Sequence, residues 1–85
     1  MPDKQLVGTV RHFFPKAGVA IVDLSEPLSV GDTALIEGKT TNFEQRVESM
    51  QIEHESVEKA DAGETVGLKV DRAVREGDKV YKVFK

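Results

Sequence analysis

Phe43-Glu44-Gln45-Arg46-Val47-Glu48-Ser49-Met50-Gln51-Ile52-Glu53-His54 is the stretch on which the fold of this 85-residue chain turns. Val47, Met50, His54 and Val57 fall at i, i+3, i+7 and i+10, and the surrounding Glu and Lys favour helix, so the pattern permits a short amphipathic helix. Met50 and Ile52 fit one face of a strand equally well. Periodicity alone leaves both readings open.

Outside that stretch the chain reads as strands. Turn residues recur at short intervals, at Pro15-Lys16-Ala17-Gly18, Glu26-Pro27, Val30-Gly31-Asp32, Glu37-Gly38, Ala62-Gly63-Glu64 and Glu76-Gly77-Asp78. The segments between them are short for helices and right for strands, which are expected at 5–14, 19–24, 33–37, 43–54, 64–71 and 79–84. Val10, Phe14, Val19, Ile21, Ile36, Val66, Leu68, Val70, Val80 and Tyr81 are types that pack on a pleated surface. Alternation is cleanest in Val66, Leu68, Val70 and in Val19, Ile21, which are therefore expected to face the core. So many strands in so small a unit would leave two costly open edges, and closure into a barrel removes them.

Gly31-Asp32, Gly63-Glu64 and Gly77-Asp78 each precede a strand, and the repetition has a local physical reason. Glycine takes the positive φ that ends a turn, and the acid can accept hydrogen bonds from nearby backbone amides.

A chain of this length has room for one core, so a single domain over 1–85 is expected. Cysteine is absent, which excludes disulfides and thiolate ligands and leaves apolar packing to hold the fold. The first residues lack a charged leader with an apolar run behind it, and the apolar run at 17–22 is too short to span a bilayer. A cytoplasmic protein without membrane attachment is the expectation. The net charge of −3 and pI near 5.3 exclude a uniformly basic surface. Residues 44–64 carry seven acids against Arg46 and Lys59, while 69–85 carry six bases against three acids. The first block reads as acidic and the second as basic.

No GxxxxGK[ST], HExxH or GxSxG occurs, and His12 and His54 stand without spaced partners for a metal. The expectation is a non-enzymatic protein with no catalytic residues, no metal and no cofactor. Phe13 and Phe14 are strand neighbours, so they point to opposite faces and one of them needs a reason to be outside the core. An exposed ring beside Arg11 and Lys16, or at Phe43, would serve to stack a base or an apolar partner.

Gly8-Thr9-Val10, Val30-Gly31-Asp32, Val47 through Ile52 and Ala62-Gly63-Glu64-Thr65-Val66-Gly67-Leu68 stand in an order that resembles the second domain of translational GTPases such as elongation factor Tu. The chain also resembles free-standing proteins of that type and the C-terminal barrel of some U32 peptidase family members. The quoted stretch and Val74-Arg75-Glu76-Gly77-Asp78-Lys79-Val80-Tyr81 carry the closer likeness. The resemblance implies an all-β fold, a small closed six-stranded β-barrel of the translation-protein type, and makes residues 43–54 a strand.

In the elongation factor this domain helps hold the aminoacylated end of tRNA through a Glu, an Arg and an Asn, and the matching positions here are Gln51, His54 and Thr65. The charge and the planar fork are gone, so carriage of aminoacyl-tRNA is not implied, and neither is GTP hydrolysis. What the resemblance does imply is a binding module that contacts RNA or a ribonucleoprotein. Its candidate residues are Arg11, Phe13, Phe43, Gln51, His54, Lys69, Arg72, Arg75 and Lys79. The alternative is a protein-interaction subunit that docks on a larger enzyme such as a U32-family protein.

Overall fold

Residues 3–84 are described by a computed structural model of the chain. The β-branched and aromatic segments form strands β1 (Asp3–Phe14), β2 (Val19–Leu24), β3 (Leu28–Ser29), β4 (Thr33–Glu37) and β5 (Asn42–Arg46). They continue as β6 (Met50–Ile52), β7 (Glu55–Val57), β8 (Lys59–Ala60), β9 (Thr65–Lys69) and β10 (Lys79–Phe84). Eight make one antiparallel sheet in the order β5-β4-β10-β1-β2-β9-β6-β7, and β3 pairs with β8. All six expected strands are present, and the helix permitted by the pattern at 47–57 does not form. The expected strand at 43–54 is divided by Val47-Glu48-Ser49 into β5 and β6, and β3, β7 and β8 are additions.

Strand β1 is long enough to pair with both β10 and β2, and it does so with register shifts between Leu6 and Gly8 and between Val10 and His12. Such irregularities bend a strand and raise its twist. Gly8 sits where backbones crowd: a Cβ there would lie 2.7 Å from the Asp23 carbonyl oxygen and from Val22 Cγ1. The inner face collects Val7, Val10, Val22, Leu28, Ile36, Val47, Met50, Leu68 and Val80 into one cluster. Members from β4 near one end of the ladder and β6 near the other meet there, so the sheet curls around a shared core.

Among the described residues no ladder pairing joins β5 to β7, and the closed barrel is not among the features that the pairings establish. A side chain links β5 to the far half instead. Gln45, 8 % exposed, donates from Nε2 to the Lys69 carbonyl at 2.7 Å, and its Oε1 accepts from the Asp71 amide at 2.8 Å. One amide thus satisfies a backbone acceptor and a backbone donor.

The three glycine-acid pairs behave alike. Gly31, Gly63 and Gly77 have φ of 99°, 89° and 90°. The following Asp32, Glu64 and Asp78 each donate a backbone N–H to the carbonyl three residues back. Their carboxylates accept from the amide of that same residue, Ser29, Asp61 or Arg75, at 2.9 Å in every case. This is the type II turn pattern, in which the third residue must tolerate positive φ.

One orientation differs from expectation, and one that the sequence left open is decided. In β2 it is Ala20, Val22 and Leu24 that are buried, while Val19 and Ile21 are half-buried on the outer face. The outward set includes Asp23, which could not enter an apolar core unpaired. Phe13 packs against the core and Phe14 is the exposed ring.

Candidate groove on the outer face of the sheet

Strands β6 and β7 are joined by a two-residue turn, Glu53-His54, with φ of 51° and 68°. Positive φ at both positions is the type I′ pattern, whose twist matches a hairpin and which normally uses Asn-Gly. Side chains with a Cβ pay roughly 1 kcal/mol or more for each such residue. The strained turn stands at the rim of an open groove of about 580 Å³.

The floor of the groove is the outer face of β2, β9 and β6, with Val19, Ile21 and Gly67 side by side through the pairings Val19↔Lys69, Ile21↔Gly67 and Gln51↔Gly67. Gly67 makes the depression. A Cβ there would meet Val19 Cγ1 at 3.3 Å and the Gln51 carbonyl oxygen and Ile21 Cδ1 at 3.8 Å. One wall is the end of β1 and the turn after it, with Phe14 and Ala17; the other is the hairpin, with Ile52, Glu53 and His54. Phe14 is 48 % exposed, and the His12 ring meets it edge-on at 4.5 Å between centroids. Covering that ring would gain about 1 kcal/mol, half of what full burial of a large apolar side chain brings. Glu64 and Thr65 close the end of the groove, and Thr65 Oγ1 donates to Asp23 Oδ1 at 2.7 Å.

Of the residues singled out in the sequence, Gln51 and His54 share this groove with Thr65. The three positions that the resemblance marks are therefore neighbours in space. The others lie elsewhere. Arg11, at the β1 irregularity, faces Asp23 at 3.5 Å. Phe13 and Arg72 line a second cleft of about 250 Å³ with Pro15, Gly18, Val70, Asp71 and Ala73. Phe43 is half-buried and packs on the core, so neither Phe13 nor Phe43 is the free ring sought for stacking. Lys69 ends β9 and Lys79 opens β10, both exposed, and the Arg75 amide serves the turn to Asp78. None of these last three lines the groove.

Sequence reasoning missed Phe14, Ile21, Ile52 and Gly67 as groove residues. The outward Asp23 is the signal that could have set the phase of β2 and so exposed Ile21. Among the described residues there is no group of three His, Cys, Asp or Glu placed to hold a metal ion. No helix among them is long and apolar enough to cross a membrane.

No protein-family model matches the chain. It is 51 % identical over 76 residues to an uncharacterised protease of Methanocaldococcus jannaschii, covering 88 % of this chain and 19 % of that protein. It is 37 % identical over 84 residues to a collagenase of Porphyromonas gingivalis, covering 96 % of this chain and 23 % of the relative. The chain thus spans about a fifth of the curated relatives it matches. In fold it is similar to the crystal structure of the C-terminal domain of a putative U32 peptidase from Geobacillus thermoleovorans, with a TM-score of 0.86 and 25 % identity. That likeness covers 92 % of this chain and 91 % of the other. The selenomethionine variant of the same domain gives 0.85 and 24 %. None of these proteins is a translation factor, and the nearer of the two resemblances is to the C-terminal domain of a U32 peptidase.

Proposed function

We propose that this chain is a non-catalytic docking domain that works on a larger enzyme of the U32 peptidase type, seating itself on that enzyme or completing its substrate path. The observation that carries the reading is the near-complete coverage of a unit that is, in the neighbour, the C-terminal domain of a longer protein. The matching stretch in named proteases is likewise a fraction of their length. The non-catalytic part rests on residue chemistry, since the chain has no cysteine and no nucleophile or metal motif.

Contact with RNA has less behind it. Arg11 is engaged with Asp23, Phe13 and Phe43 turn to the core, and the groove is lined by no Lys or Arg. The test is titration of the purified chain against a U32-type peptidase truncated before its C-terminal domain, followed by calorimetry. A saturable one-to-one complex is expected. Absence of a complex, together with salt-sensitive binding to tRNA in a filter assay, would overturn the reading in favour of RNA.

A further inference from the structure

Taking the chain as a docking domain, we propose that the outer-face groove receives an apolar peptide segment of the partner that carries arginine. The floor of Val19, Ile21 and Gly67 beside the Phe14 ring asks for an apolar anchor. The charges decide what accompanies it. The lining groups that can ionise are Glu53, Glu64 and His54. No ion pair among the described residues joins either glutamate to a base. Glu64 Oε1 accepts from the Asp61 amide at 2.9 Å, and Glu53 stands on the strained turn. A neutral apolar segment would desolvate these carboxylates without a partner, and a phosphate backbone would meet an acidic rim.

Arginine fits where lysine fits less well. Its planar guanidinium has a face that packs on an aromatic ring and edge N–H groups that pair with a carboxylate, and the groove offers both kinds of group, whereas an ammonium is a strongly hydrated point charge. The volume, about 580 Å³, lies within the range of ligand clefts, about 300–1,000 Å³.

The test uses the full chain labelled with nitrogen-15 and, as probe, a short capped peptide of alternating leucine and arginine. Saturable amide shifts are expected at Gln51, Glu53, Thr65 and Gly67, with affinity falling about tenfold in the Glu53→Gln, Glu64→Gln double variant. Glutamine keeps the acceptor that the Asp61 amide needs. Replacing arginine by lysine in the peptide should weaken binding severalfold. The proposal is overturned if the groove amides do not move, if the double variant binds equally well, or if a leucine and glutamate peptide or polyuridylate produces the same shifts. Failure here and failure of the docking reading are separable. A peptidase that binds away from the groove sinks this inference alone, and a groove that takes the arginine peptide while no peptidase complex forms sinks the docking reading alone.

Discussion

Strands β2 and β9 present two faces that differ in how completely they are filled. On the inner side Ala20, Val22, Val66 and Leu68 are buried to the last few square ångströms. On the outer side Val19 and Ile21 keep part of their surface open to solvent, and Gly67 between them presents no side chain. The inner face is closed to solvent, and the outer face leaves its apolar residues partly exposed. Apolar surface left partly open in this way, bordered by a positive-φ turn and an exposed ring, is the surface that the proposed docking would cover.

Substitutions can break that comparison. Leu68→Ala on the inner face should cost about 3 kcal/mol in urea denaturation, as cavity formation in a packed core does. The equivalent outer change, Ile21→Ala, should cost less, about 1–2 kcal/mol, because part of its side chain is open to solvent. Equal losses at the two sites would mean that the faces are not distinct. Gln45→Leu should cost about 2 kcal/mol, since the Lys69 carbonyl and the Asp71 amide lose their partner in a partly buried place.

Two smaller effects sharpen the contrast. His54→Gly should raise stability by about 1 kcal/mol, since glycine relieves the positive φ of the hairpin turn. A gain in stability accompanied by weaker partner binding would identify the strain as a cost borne for function. Gly67→Ala should change stability by less than about 1 kcal/mol, the relief of chain entropy offsetting a 3.3 Å approach to Val19, while reducing the depth of the groove.

Much of this architecture was legible in the sequence, and the failures share a cause. Strands β2, β4 and β10 coincide with the expected segments because turns bound them on both sides. The glycine-acid turns were readable because their chemistry is local to four residues. Alternation misled where the register was irregular. Val7, Val10 and Phe13 face inward at intervals of three because β1 shifts register twice, so a period of two could not decide between Phe13 and Phe14. In β2 four apolar residues stand in a row, and only Asp23 distinguishes the phases. The turn at Glu53-His54 contains neither glycine nor asparagine, so it read as the end of one strand and the returning strand β7 was not seen. The groove was the least legible feature, because β1, β2, β6 and β9 meet there only after folding. The resemblance nonetheless marked Gln51, His54 and Thr65, which line it together.

The most direct test of the account maps the complex residue by residue. Hydrogen exchange of the chain, free and bound to a U32-type peptidase body lacking its own C-terminal domain, should show new protection at residues 51–54 and 65–67. Little change is expected along residues 69–79. Protection confined to the basic segment at 69–79, with the groove amides exchanging as in the free chain, would contradict the claim that the outer face of β2, β9 and β6 is the working surface.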